Sequence, residues 1–464
     1  MAMTCHNVNN YSNSMRYNSR QTQDFIRLNS SGDESNSYNS HKTAQSKRKR
    51  TYKLPEYGSN LLAPFFPNPD APWKTKVYSP DIIGLHNEIE DFARWMRPTK
   101  EETMLRGCVV ERIKRIVHQL WPTARVEIFG SFKTGLYLPT SDIDIVIFGQ
   151  WSAPPLRTLE RRLIDNNIAD PNTMKVLDKA SVPIIKLTDT LTKIKLDISF
   201  NTNNCLKSAE KISELLQQYP CLDKLVLVLK QFLLQRHLNE VFVGGLGSYC
   251  LTLMVVAQLQ HCPRRRRGRL EDENLGVLLM EFFELYGVLF NYNNTGIRIH
   301  NGGSFFNKND VAEMKGSMLC IEDPFQPGND IARASYGMFY VKDSFKFAYR
   351  WLKRAVVAPR KPNEQVFPMT DSILGTLVKV DRGIVEYRNW IKNNWVNLAR
   401  QLPHPESYNH TPTASRPDKL KREKWTPGPR VGEDFSDTPT DQSAEASSDD
   451  YDRLTDDLSS DSSV

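Results

Sequence analysis

The sequence predicts an α+β protein: a small mixed-sheet domain set among helical segments that form a second domain, with polar tails at both ends. Three observations predict it. Apolar residues recur at helical spacing from about residue 80, and the period shortens to two between about residues 126 and 200. Helical spacing then returns after Ala209, while the chain before about residue 60 and after about residue 402 is poor in aliphatics.

Residues 1–60 are rich in Asn, Ser, Gln and charge, so they bury too little apolar surface to offset chain entropy and are expected to be disordered. Residues 61–104 open the helical domain, with Ile82, Leu85, Ile89, Phe92 and Met96 on one helical face. Residues 105–205 form the mixed-sheet domain. It begins with an amphipathic stretch carrying Val109, Val110, Ile113, Ile116, Val117 and Leu120. The β-branched segments 126–129, 143–148, 183–187 and 194–200, each bounded by turn residues, are its expected strands. Residues 206–402 are read as the helical central domain, with helices at 221–237, 248–260, 345–357 and over much of 373–402. The Gly/Asn-rich stretch 291–309 reads as a hairpin or irregular loop, and 403–464 as a disordered Pro-, Ser- and Asp-rich tail.

Composition narrows the class. The 464 residues are 25% charged and 39% hydrophobic, enough for two packed domains plus tails. Seven cysteines without a C-x-x-C pair argue against a disulfide framework or a structural zinc site and favour a reducing compartment. The N-terminus lacks a signal-peptide apolar region, and the longest weakly charged apolar run, 248–260, is too short to span a bilayer. A soluble intracellular protein without a membrane partner is expected. Net charge is +7, although Asp449, Asp450, Asp456, Asp457 and Asp461 make the tail acidic. The more basic remainder suits a polyanionic partner. Lys47-Arg48-Lys49-Arg50 reads either as a nuclear localisation signal or as a solvated charge run.

Chemistry concentrates in two segments. Phe129-Gly130-Ser131 leads to Ser141-Asp142-Ile143-Asp144-Ile145, and a Gly-Ser pair leaving a strand offers close backbone approach and a hydroxyl to phosphate oxygens. Asp142 and Asp144, one residue apart on a strand, point to the same face. Two such charges repel unless a cation bridges them, and hard ions such as Mg²⁺ or Mn²⁺ take oxygen ligands. A solvated D-x-D in a surface turn is the bland alternative. In Lys195-Leu196-Asp197-Ile198-Ser199-Phe200, Asp197 lies opposite the apolar face, and beside the D-x-D strand it completes a three-carboxylate site. Such a site can hold two ions roughly 3.5–4 Å apart for in-line displacement at phosphorus.

G-S, D-I-D-I-V and L-D-I-S-F in this order resemble the DNA polymerase β-like nucleotidyltransferases. The likeness continues through residues 226–234, 244–249 and 321–333. Together these look like a noncanonical poly(A) polymerase of the type found in the nuclear TRAMP surveillance complex, over roughly residues 60–400. The resemblance implies a polymerase β-like catalytic domain packed on a helical central, PAP-associated domain. It implies adenylate addition from ATP to RNA 3′ ends with two Mg²⁺ or Mn²⁺ ions held by Asp142, Asp144 and Asp197. It further implies nucleotide contacts from Gly130, Ser131, Asn204, Lys230, Ser248, Tyr249, Asn329, Asp330 and Arg333. Lys230 would meet the triphosphate and Tyr249 would stack on the base. Cys205 stands where the family usually has Gly, and Asn329 where UTP-preferring relatives often have His, which favours ATP. The implied partners are RNA, a zinc-knuckle RNA-binding protein, an RNA helicase and, indirectly, the nuclear exosome; the implied location is the nucleus, with the cytoplasm also open.

Two other functions remain open on the sequence: a uridylyl- or mixed-tailing transferase on the same scaffold, and a non-catalytic scaffold of an RNA-decay complex. The runs at 264–269 and 419–422 fit either phosphate contact or a solvated surface.

Overall fold

The computed structural model describes residues 71–180, 182–261, 273–311, 314, 316–357 and 372–403. The basic runs at 47–50, 264–269 and 419–422, the tail expected to be disordered at 1–60, and all but residue 403 of the one expected at 403–464 lie outside the described residues.

Two helices open the described chain, α1 (Ile82–Met96) and α2 (Lys100–Leu120). Asp81 caps α1 by accepting from the Ile83 and Gly84 amides. Thr99 and Glu102 form a reciprocal capping box at the start of α2, which satisfies two amides the helix leaves unpaired. The turn between them divides the molecule. The apolar face of α1 enters a helical core, whereas Val109, Ile113 and Val117 of α2 enter the core under the sheet.

The sheet holds β1 (Arg125–Phe129), β2 (Ile143–Phe148), β3 (Lys175–Leu177), β4 (Ile184–Thr188) and β5 (Lys195–Phe200) in the order β1-β2-β5-β4-β3. β2 and β5 are parallel and the other pairs antiparallel, so the sheet is mixed as expected. A short helix, α3 (Gly130–Thr134), leaves β1, and α4 (Leu156–Asp165) lies in the crossover from β2. Ile143, Ile145 and Ile147 of β2 and Leu196 and Ile198 of β5 are fully buried against α2.

The helical body follows, with α5 (Asn204–Gln218), α6 (Leu222–Leu234), α7 (Ser248–His261) and α8 (Leu275–Glu284). Buried on nearly every side, α7 is a core helix. The stretch at 291–309 is a hairpin of β6 (Thr295–Arg298) and β7 (Ser304–Asn307), followed by a second ribbon, β8 (Glu322–Asp323) with β9 (Gln326–Asp330). Then come α9 (Met338–Val357) and α10 (Arg382–Gln401). Phe232, Phe282, Phe283 and Phe345 pack ring against ring at its centre. Among the described residues no helix is long and apolar enough to cross a membrane.

One boundary differs from expectation. Residues up to 402 were assigned to the helical domain, yet Ile391, Leu398 and Leu402 bury in the sheet core, while Ile384 stays in the helical core. A helix of 20 residues is long enough to lean on both bodies, so the last described helix closes the domain that α2 opens.

Candidate active site

The register of the sheet builds the site. Phe129 faces Asp144, Asp144 faces Asp197 across the parallel pair, and Asp197 faces Lys186 on β4. Residues in register share one side of the pleat, so Asp144, Asp197 and Lys186 form a row on the face opposite the buried Ile145 and Ile198. Asp142, two residues before Asp144, belongs to the same face.

Gly130 explains the G-S pair. Its φ is +63°, and a Cβ there would lie 2.1 Å from Oδ2 of Asp144. Any side chain at this position would displace that carboxylate, so glycine lets the turn close onto the acid. Ser131 follows in α3, half-buried beside it.

Electrostatics single out the acids. Burial, then repulsion from Asp197 and Asp142, pushes Asp144 up to about 7 despite Lys230 and Lys186. Asp142 is raised as well, by burial and then by Asp197. Asp197 instead receives the Lys186 ammonium. Burial pulls Lys186 down, but this partner outweighs it and Lys186 ends above its ordinary value. Among the described residues no three His, Cys, Asp or Glu side chains converge closely enough to hold a metal ion. The donor chemistry nevertheless fits hard cations: Asp142 and Asp144 are oxygen ligands, both raised by burial and then by Asp197, that accept no hydrogen bond from a protein donor among the described residues.

Lys230 of α6 reaches the same place from the helical body. Its Nζ donates to the Leu136 carbonyl at 2.6 Å, and burial lowers it to about 8 while Asp144 opposes the shift. Asn204 is exposed on the first residue of α5, and Ser248 is exposed at the start of α7. The half-buried Tyr249, raised to about 12 by burial, feels the charge of Asp323. Asp323 in turn accepts from Asn329 Nδ2 at 3.0 Å. The start of α7 and the β8–β9 ribbon are thus neighbours, as a shared nucleotide pocket requires. Cys205 donates its thiol to the Thr202 carbonyl at 2.8 Å, occupying space that a glycine would leave open.

Asp330 is a correction. Expected to contact the nucleotide, it is buried and accepts from the Ile321 and Ala332 amides at 3.1 and 2.9 Å. Its carboxylate holds the loop that presents Asn329, and Arg333 beyond it is exposed. Sequence reasoning also passed over Lys186 and Glu240, whose charge acts on Asp142 and Lys186. The available signal for Lys186 was its place between Ile185 and Leu187, which puts it on the polar face of β4.

A glycine-built turn, acids in register on a mixed sheet and a lysine delivered from a helical body define a nucleotidyltransferase. Comparisons with known proteins place the chain further. Residues 85–220 match the model for the central palm domain of mitochondrial-like poly(A) RNA polymerase, and 274–329 that for Cid1-family poly(A) polymerases. The inactive noncanonical poly(A) RNA polymerase protein Trf4-2 of Drosophila melanogaster is 39% identical over 73% of this chain and 86% of that protein. Poly(A) RNA polymerase cid14 of Schizosaccharomyces pombe is 40% identical over 68% of this chain and 48% of its own length. The chain therefore spans about half of that relative. Among solved structures, the polymerase core of TRAMP, an RNA surveillance complex, matches at 34% identity with a TM-score of 0.59, over 67% of this chain and 99% of that one. The Cid1 poly(U) polymerase shares the fold at 22% identity and a TM-score of 0.52, over 60% and 95%. The chain belongs to the noncanonical poly(A) RNA polymerase family, of the TRAMP type.

Proposed function

We propose that the protein adds adenylate residues to RNA 3′ ends without a template. The observation that carries the reading is the row of Asp144 and Asp197 on adjacent parallel strands, with Asp142 two residues earlier and Lys230 beside them. Asp142, Asp144 and Asp197 would hold two divalent ions, Mg²⁺ or Mn²⁺, once their side chains turn together; these would supply Lewis-acid activation of the 3′-hydroxyl and offset charge on the departing pyrophosphate.

The chain's own residues do the rest. Gly130 and Ser131 approach the phosphates, and Lys230 places positive charge against the leaving group. Asn204 meets the ribose, Ser248 the phosphates, and Tyr249 the base. Asn329, held by Asp323, both donates and accepts, which suits adenine better than a residue committed to uracil. The RNA 3′ oxygen attacks the α-phosphorus, the bond to the bridging oxygen of the β-phosphate breaks, and pyrophosphate leaves. Asp197 accepts the hydroxyl proton once turned from Lys186. Nuclear RNA surveillance and 3′-end processing or decay, with a zinc-knuckle RNA-binding protein, a helicase and indirectly the exosome, is the setting we assign, on the strength of the TRAMP likeness.

Extension of a labelled oligo(A) primer with each nucleotide alone and in competition tests this, with Asp142→Ala/Asp144→Ala protein in parallel. ATP-selective extension that the double variant loses is the expected result. Preferred UTP use would overturn the reading of Asn329. A second reading, a scaffold without catalysis, draws on the Drosophila relative that is named inactive. It predicts no extension with any nucleotide.

A further inference from the structure

Arg106 lies on α2, in a stretch where an arginine would ordinarily face water, yet it is 3% exposed. Its Nη2 donates to the Pro139 carbonyl at 3.1 Å and the Ser141 carbonyl at 2.8 Å. Those carbonyls lie just ahead of Asp142. The same turn is closed from within, because the Leu138 amide donates to Ser141 Oγ at 3.0 Å and the Ser141 amide to the Leu138 carbonyl at 2.9 Å. The guanidinium stacks over the Tyr137 ring at 4.5 Å. Burial lowers its proton affinity, and the field of Asp142 is among the charges that oppose this. A buried guanidinium is costly, and neutral carbonyls return only part of that cost.

The surroundings lead to α10. Arg388 makes a two-point ion pair with Glu102, Nε to Oε1 at 2.7 Å and Nη2 to Oε2 at 3.1 Å. The Nε contact is close but poorly directed, since Oε1 has no hydrogen bond of good geometry. Glu102 lies one helical turn before Arg106, and Glu102, Arg106, Tyr137 and Tyr387 line one small cavity. Arg388 also donates to the Trp95 and Arg97 carbonyls at 2.5 and 3.0 Å, tying down the end of α1. One residue away, the Tyr387 hydroxyl donates to the Thr192 carbonyl at 2.8 Å, in the turn that leads into β5 and Asp197. A single helix from the far end of the chain thus braces the approaches to both acid-bearing strands. It lies outside both segments that match family models, 85–220 and 274–329.

We propose that Arg106 is a positioning residue for the turn that presents Asp142, and that α10 holds it there through the Arg388–Glu102 pair. The inference rests on the metal-site reading above, toward which Asp142 is a ligand. Arg106→Lys keeps the charge but ends one bond short of the nitrogen that meets both carbonyls, and it loses the planar contact with the Tyr137 ring. Removing partners behind a metal ligand typically weakens metal affinity by about 10- to 100-fold, and the low end applies here because the arginine acts through backbone.

The test is Mn²⁺ titration followed by electron paramagnetic resonance on the full chain without nucleotide, normalised to the folded fraction from near-ultraviolet circular dichroism. Arg106→Lys is expected to weaken Mn²⁺ binding about tenfold. Arg388→Gln should shift it the same way by less, and steady-state assays should show a raised metal requirement with the KM for ATP little changed. Binding by folded Arg106→Lys equal to that of the parent would overturn the positioning role. An unaffected Arg388→Gln beside a weakened Arg106→Lys would overturn the part given to α10. No Mn²⁺ binding by the parent would overturn the metal-site reading, and this inference with it.

Discussion

Glu88 of the helical body and the acid pair on the sheet face meet desolvation in opposite ways. Glu88 on α1 is fully buried and saturated with donors: Trp73 Nε1 at 3.2 Å, the Leu374 amide at 2.8 Å and the Ser372 hydroxyl. It ties α1 to the segment that precedes α10, so its role is cohesion. Asp142 and Asp144 on the sheet face have no such donors; burial and then Asp197 make both harder to ionise, and Asp142 adds to this at Asp144. The difference teaches how to separate a structural acid from a working one. Desolvation raises both, whereas satisfied hydrogen bonds mark the first, and like charge only partly offset by nearby lysines marks the second.

Three variants sharpen that contrast, taken here from the largest effect to the smallest. Glu88→Ala leaves several buried donors without an acceptor and should cost about 4 kcal/mol of stability. Chemical denaturation reads that loss directly, and a midpoint within error of the parent would show that Glu88 is no keystone. Lys230→Met should lower kcat for nucleotide addition about a hundredfold, equivalent to roughly 2.7 kcal/mol, with only a modest change in stability. A variant that turned over at the parent rate would remove the lysine from the phosphate site.

Asp144→Asn should move stability in the other direction. At pH 8, above its raised value of about 7, the carboxylate is ionised at a cost that the unfolded chain does not bear. Its neutral isostere should therefore gain about 1 kcal/mol in metal-free buffer, once screening is allowed for. Addition of Mg²⁺ should raise the melting temperature of the parent and leave that of the variant unmoved, because only ligand bound to the native state stabilises it. A variant less stable than the parent without metal would break the proposed contrast between the two regions.

Much of this was legible in the sequence, and for physical reasons. Alternation in 143–148 and 195–200 reports which side of a strand is buried, so the outward face of Asp144 and Asp197 could be read locally. Helical spacing around Ile82–Met96 does the same for α1. What stayed hidden depends on long-range register. Lys186 on a strand and Arg106 on a helix look like ordinary solvated cations until β4 is set beside β5 and the 139–141 turn beside α2. Asp330 misled in the opposite sense, since nothing in the local sequence says whether an acid points out to a ligand or in to its own backbone. The same reason explains α10, whose apolar residues show that it is amphipathic without showing which core takes them.

Placing β5 between β2 and β4, and closing the sheet core with Leu398 and Leu402, has a consequence for how the protein is made. A ribosome delivers the chain from the N-terminus, and domains generally fold as units while synthesis continues. Here the sheet unit cannot finish when its last strand emerges, because the side chains that seal its underside arrive some two hundred residues later, after the whole helical body. Until then the nascent sheet has an uncovered apolar flank, and its core is complete only once the last described helix has left the exit tunnel.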